Sequence, residues 1–194
     1  MSTDLRPIVV CGPSGVGKGT LCTKLKATNP ELFKKSISHT TRQPRSGEVE
    51  GEDYYFVSPS TFSSLVFQNA FVETTDLFGS SYGTSKQTII EQWTQGSIAV
   101  LDIDIEGAKQ LKKTQIAARY IFIKPSSFVI LEARLRGRES EKEDEIQDRL
   151  NRARVELAYA DTPGAFDKII INDDLETAFG ELVEFVSRPV SQNL

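Results

Sequence analysis

The sequence predicts an α/β fold: a five-stranded parallel sheet flanked by helices, with a small β-rich insertion and a helical lid. Three observations predict it. Short apolar runs rich in β-branched residues, at Ile8–Cys11, 98–103, 120–123 and Lys168–Ile171, are each too short for a helix and read as buried strands. Segments with helical apolar spacing separate them, and strand alternating with helix is the pattern of a parallel sheet covered on both faces. A glycine-rich turn ending in a lysine follows the first run directly and opens the helical segment 21–26.

Taken in order, residues 35–38 add the fifth strand. Ser58 and Pro59 start a helix whose Phe62, Leu65 and Val66 share one face. Ser85 caps another through Ile89, Ile90 and Trp93, which Gly96 closes. Leu175, Phe179, Leu182, Val183 and Val186 repeat at helical spacing and close the fold against the sheet. All of these stripes are expected to face the core. The interval 40–84 breaks the alternation: Gly47, Gly51, two tyrosines and the alternating runs 54–57 and 71–75 read as the β-rich insertion. From residue 137 to about 156, charge of both signs is dense and only Ile146, Leu150 and Val155 are large and apolar, which fits a mobile helical flap. The expected organisation is one domain, 1–194, with a core of 1–38, 85–136 and 157–194, an insertion of 39–84 and a lid of 137–156.

A length of 194 residues, 39% hydrophobic and 26% charged, suits one globular domain and excludes disorder, coiled coil and fibrous repeats. A net charge of −4 gives no general attraction for nucleic acid, so any phosphate must be held by local Arg and Lys. Residues 1–7 lack the basic-then-apolar pattern of a signal peptide, and no stretch approaches the ~18 apolar residues of a membrane span. A cytoplasmic location, away from membranes, is therefore expected. Cys11 and Cys22 are too few for a disulfide framework or a zinc site and read as reduced packing residues; the lone His39 is set aside.

The turn after the first strand is Gly12-Pro13-Ser14-Gly15-Val16-Gly17-Lys18-Gly19-Thr20. Its glycines let successive N–H groups point inward, the following helix adds its positive end, and Lys18 supplies a mobile cation, together a cradle for a polyphosphate. The usual Ser or Thr after the lysine, a ligand of Mg²⁺, is Gly19 here, with Thr20 one place on. Adenylate kinases show a similar Gly-Lys-Gly-Thr ending. Water, ATP oxygens and Asp102 are expected to hold the ion instead.

The segment Ser38-His39-Thr40-Thr41-Arg42-Gln43-Pro44-Arg45, then Gly47-Glu48 and Gly51-Glu52-Asp53-Tyr54, closely resembles the guanylate kinase motif. Two arginines around a proline can present fork-shaped donors to one phosphate, and a tyrosine hydroxyl can complete its shell. The resemblance continues in order through 71–73, 82–84, 101–107 and 171–175, covering nearly the whole chain, and implies a P-loop nucleoside monophosphate kinase fold. It implies that Arg42, Arg45, Tyr54 and Tyr82 hold the GMP phosphate, with Ser38, Glu73, Gly83, Thr84, Asp102 and Asp104 around the rest of that nucleotide. A carboxylate such as Glu73 can accept from both N1–H and the exocyclic amine of guanine, while adenine offers it an unprotonated N1.

Arg134, Arg138 and Arg149 match the arginines of the family's lid and are implied, with Lys18 and Arg42, to serve catalysis. Arg136, Arg152 and Arg154 are expected to be a solvated face. Asn172 and Asp173, after the last strand, resemble residues near the ATP adenine, and Arg138 is implied to reach ATP as well. The resemblance thus implies an ATP:GMP phosphotransferase of purine nucleotide metabolism, turning GMP and dGMP into GDP and dGDP, with ADP as the other product and Mg²⁺ as cofactor. A monomer is expected, a dimer also being open. Two rivals share the fold: a scaffolding domain that binds phosphorylated partners, and a kinase for AMP or dTMP. Retention of Gly17 and Lys18 argues against the first, and Glu73 with the two arginines against the second.

Overall fold

The computed structural model describes residues 4–45, 47–77, 79–137 and 142–188. In chain order the elements are β1 (Ile8–Cys11), α1 (Lys18–Thr28), β2 (Phe33–Lys35), β3 (His39–Thr40), β4 (Tyr55–Phe56), α2 (Pro59–Phe67), β5 (Phe71–Leu77), β6 (Ser80–Ser85), α3 (Lys86–Thr94), β7 (Ile98–Asp102), α4 (Ile105–Lys112), β8 (Arg119–Lys124), α5 (Phe128–Arg136), α6 (Glu143–Ala160), β9 (Lys168–Ile171) and α7 (Leu175–Val186).

Five strands form one parallel sheet in the order β2-β7-β1-β8-β9, and β3 to β6 form a second sheet in the order β4-β3-β6-β5. The alternation along β1 explains the layering. Ile8 and Val10 enter one core with Leu21, Leu25, Leu131 and Leu182, while Val9 and Cys11 enter another with Leu101, Leu111 and Phe122. Chain order reverses at β1, which has β7 on one side and β8 on the other. In such sheets ligands bind beyond the carboxyl ends of the strands at that point, and Gly12 stands there.

Four predicted strands lie where expected. The fifth does not: β2 ends at Lys35, where the sequence predicts its start. Phe33 is the side chain that enters the core, so it fixes the register, and after one more bond from Ser36 N–H to the Val100 carbonyl the chain leaves for the insertion.

Two stripes are narrower than expected. On α2, Phe62 is buried against Phe71, with ring centroids 5.0 Å apart, but Val66 is exposed. On α3, Ile89 enters the core while Ile90 and Trp93 face outward. Each helix has nine residues and touches the sheets along one line, so only one large side chain per helix finds a buried place. In the interval expected to form the lid, α6 begins at Glu143 and runs unbroken to Ala160; Ile146 and Leu150 join the core and Val155 does not.

The termini are tied down by one buried cation. Arg119, at the start of β8, donates to the carbonyls of Val186, Asp4 and Arg6 and lies 3.6 Å from the Asp4 carboxylate. Cys11 and Cys22 are free and buried, and burial pushes both thiols well above their ordinary range. Among the described residues no helix is long and apolar enough to cross a membrane.

Candidate active site

A cavity of about 390 Å³ opens beyond the carboxyl end of β1, between the two sheets and α6. One wall is the loop between β1 and α1. Lys18, the first residue of α1, folds back so that its Nζ donates to the carbonyls of Gly12 (2.7 Å) and Pro13 (3.2 Å), and it lies 3.9 Å from the Asp102 carboxylate at the end of β7. The loop is braced from behind. Asn172, buried just after β9, donates its amide N–H to the Val16 carbonyl at 2.8 Å. Gly17 has φ 99° and packs on the same amide, so that an added Cβ would collide with Asn172 Nδ2.

The opposite wall carries the arginine pair. Glu48 organises it with both carboxylate oxygens: Oε1 accepts from Arg42 Nη2 and Oε2 from the Arg45 backbone N–H, each at 2.7 Å. Burial disfavours the charge on both groups, but the bonds outweigh it, so Glu48 sits below the usual carboxylate range and Arg42 above its ordinary value. The Arg42 guanidinium lies 5.4 Å from the Tyr54 ring, which meets Tyr82 edge-on at 5.9 Å. Burial pushes the Tyr54 phenol up to about 12, so it stays a hydroxyl donor.

Deeper in, Glu73 on β5 is 4% exposed and accepts from the Thr84 hydroxyl at 2.6 Å, which in turn lies 3.3 Å from Ser38 Oγ. Burial raises its acid to about 7, with the neighbouring Asp104 adding to the rise and the Thr84 bond opposing it. Asp104 caps α4: its Oδ1 accepts from Gly107 N–H at 2.7 Å and from the Thr75 hydroxyl at 3.2 Å. The two carboxylates meet above Gly107, where a Cβ would fall 2.7 Å from Glu73 Oε2 and 3.4 Å from Asp104 Oδ1.

Of the residues singled out in the sequence, Gly12, Ser14, Gly15, Gly17, Lys18, Gly19, Thr20, Ser38, Arg42, Arg45, Tyr54, Glu73, Tyr82, Asp102, Asp104 and Arg149 line this cavity together. Arg149, from α6, donates to Ser14 Oγ at 2.9 Å. Other expected residues stand behind the wall. Val16 is fully buried, a Cβ on Gly83 would fall 3.0 Å from the Phe71 ring, and Thr84 donates its hydroxyl to Glu73. Arg134 turns away from the cavity, donating to the backbone carbonyls of Asn172 and Asp173, and Asp173 accepts from Ser126 N–H. Arg138 lies outside the described residues.

A site with a Gly-rich loop and lysine on one side, a braced arginine pair on the other and a buried carboxylate between them restricts the family sharply. A sequence profile of the family described as Guanylate kinase matches residues 4–189. The chain belongs to the guanylate kinase family.

The guanylate kinase of Schizosaccharomyces pombe is 47% identical over 182 residues, covering 94% of this chain and 90% of that protein. The guanylate kinase of Sus scrofa is 41% identical over 187 residues, covering 96% and 94%. Among solved structures, guanylate kinase from Anaplasma phagocytophilum matches with a TM-score of 0.76 at 30% identity, over 96% of this chain and 87% of that one. The SH3-kinase fragment of tight junction protein 3 in its apo form matches with a TM-score of 0.53 at 16% identity, over 97% and 61%, a likeness of fold alone. As a guanylate kinase family member the chain is a nucleotide-binding phosphotransferase, an enzyme, as its motifs imply.

Sequence reasoning misses Arg152 and Glu156. Arg152, expected on a solvated face, instead lines the cavity, donating to Asp104 Oδ2 at 2.5 Å and to Glu156 Oε1 at 3.2 Å. Glu156 is 4% exposed, and burial raises its acid despite the nearby Lys18 and Arg152. The signal is present as spacing: Arg149, Arg152 and Glu156 follow at three and then four residues, which places them on one helix face. Arg136 and Arg154 do face outward, Arg136 paired with Glu132 and Glu143 and Arg154 set over the Phe128 ring.

Proposed function

We propose that this chain transfers the terminal phosphoryl group of ATP to GMP, and to dGMP, giving ADP and GDP or dGDP. The observation that supports this reading is that Lys18 and the phosphate-cradling loop share one cavity with Arg42, Arg45, Tyr82 and Glu73, so a phosphate on the loop would face one held by the arginine pair. The loop amides and the N-terminus of α1 bind the ATP phosphates. Lys18 exchanges its two carbonyl partners for phosphate oxygens. Arg42, Arg45, Tyr54 and Tyr82 hold the acceptor phosphate, and Glu73, with Asp104, accepts from the guanine N1–H and amine. Arg149 reaches from α6 toward the transferred group. Transfer needs alignment and charge neutralisation more than a dedicated base, so these cations carry most of the catalysis.

The site suits Mg²⁺. A Cβ on Gly19, in the place of the usual hydroxyl-bearing residue, would lie 3.9 Å from Asp102 Oδ2, so a hard oxygen ligand adjoins the gap. Asp102 would hold the ion together with water and ATP oxygens, and the ion would offset charge on the moving phosphoryl group. Closure of residues 137–156 over the site would expel water and limit hydrolysis of ATP. The protein acts as a monomer in the cytoplasm.

A coupled assay with GMP, dGMP, AMP, UMP and dTMP as acceptors tests the reading. Turnover of GMP and dGMP at least a hundredfold above the others is expected. Equal use of AMP or dTMP, or binding of GMP without turnover, would overturn it.

A further inference from the structure

The Arg152 guanidinium bridges two carboxylates that belong to different parts of the site. Its Nη2 donates to Asp104 at the N-terminus of α4, and its Nε to Glu156 one turn along α6. Asp104 has its other oxygen filled by Gly107 N–H and the Thr75 hydroxyl, so Arg152 fixes the second oxygen and with it the rotation of the whole carboxylate. The need for such a fixing group is physical. Glu73 and Asp104 converge over Gly107, and two ionised carboxylates so placed repel each other, a repulsion that a cation beside them offsets. Glu156 is buried and holds the guanidinium from the far side, which leaves Arg152 little freedom to leave Asp104.

We propose that Arg152 is a positioning residue for recognition of the acceptor base: braced by Glu156, it sets the Asp104 carboxylate beside Glu73 so that the pair accepts from a purine with hydrogens on N1 and on an exocyclic amine at C2. This rests on the reading of the cavity as a GMP site. Arg152 acts through Asp104, so its loss falls on acceptor binding and base discrimination rather than on phosphoryl transfer. IMP, which keeps the N1–H and lacks the amine, is the informative comparison.

Steady-state kinetics of R152M, R152K, D104N and the R152M/D104N double variant, with GMP, IMP and ATP, test the proposal. R152M is expected to raise KM for GMP about tenfold or more, change kcat less than threefold, leave KM for ATP unchanged and narrow the GMP over IMP preference. R152K should recover part of the GMP affinity. In the D104N background R152M should cost no more than twofold, because its route of action is already gone. An unchanged KM for GMP in R152M, or full additivity in the double variant, would overturn the proposal while leaving the GMP reading intact. Wild-type protein that does not use GMP would instead overturn the reading beneath it. If R152M is poorly folded by circular dichroism, R152K, D104N and their double variant form the same cycle, and additivity or its absence there decides the proposal in the same way.

Discussion

Asn172 and Val16 are joined by a buried hydrogen bond of 2.8 Å, from a carboxamide beyond the last strand of the main sheet to a carbonyl inside the phosphate loop. This bond ties the loop to the segment whose backbone also receives Arg134. The loop's shape is therefore set from outside as well as by its own glycines.

Replacing Asn172 by Ala leaves the Val16 carbonyl buried without its partner, a cost of about 1–3 kcal/mol. For a domain of this size that lowers Tm by roughly 2–10 °C. KM for ATP should rise about tenfold with GMP binding unchanged. Gly17→Ala should be worse, since it adds a clash and a positive φ. Equal weakening of ATP and GMP in Asn172→Ala, measured by calorimetry, would contradict a loop-specific brace.

Glu73 makes the base site sensitive to pH. Its acid is raised from 4.5 to about 7, first by burial, so the folded apo protein holds a proton that the unfolded chain has lost between those values. Stability conferred by the neutral carboxyl is thus present at low pH and declines as pH rises from about 4.5 through about 7. Glu73→Gln should therefore raise apo Tm at pH 8 and change it little at pH 4. Ligand binding runs the other way. The ionised form accepts the guanine hydrogens, so affinity for guanosine, which lacks a titrating phosphate, should fall about tenfold per pH unit below about 7. A flat guanosine profile from pH 5.5 to 8.5 would refute the role of Glu73.

Lys18→Ala should lower kcat by about 10²–10³, the range for removal of one preorganised charge donor, with GMP affinity unchanged. Asp102→Asn should raise the Mg²⁺ concentration needed for half-maximal rate. An unaltered Mg²⁺ titration in Asp102→Asn would show that the ion is held without this carboxylate.

Arg119 is predicted to matter for stability alone. Arg119→Met strands the carbonyls of Val186, Asp4 and Arg6, while the Asp4 carboxylate keeps its bonds to Arg6. Leaving buried acceptors of this kind unpaired costs about 1–3 kcal/mol. Urea unfolding should show that loss, with KM for both nucleotides unchanged in the remaining folded protein.

Much of this architecture is legible in the chain because its signals are local. The phosphate loop is a contiguous run between a strand and a helix, and the main strands are apolar runs that no helix could use. Glu73 and Arg42 are legible through a motif with a chemical reason for each residue type. What stays hidden depends on which way a helix turns. Arg152 and Arg154 are two residues apart on α6, chemically alike, yet one faces Asp104 and the other the Phe128 ring. The bracing bonds of Arg134 and Asn172 are hidden for a similar reason, since a guanidinium or a carboxamide serves backbone carbonyls as well as ligands. The outward Trp93 and Val66 show the converse, an apolar residue at helical spacing for which the fold provides no neighbour.

The two sealed thiols turn the molecule into its own clock. Cys11 ends β1 in the core on one face of the sheet and Cys22 packs from α1 into the core on the other, so each meets a water-borne alkylating reagent only when the packing over it parts. The pace at which a maleimide labels them reports how often the catalytic framework opens, and saturating nucleotide should slow it.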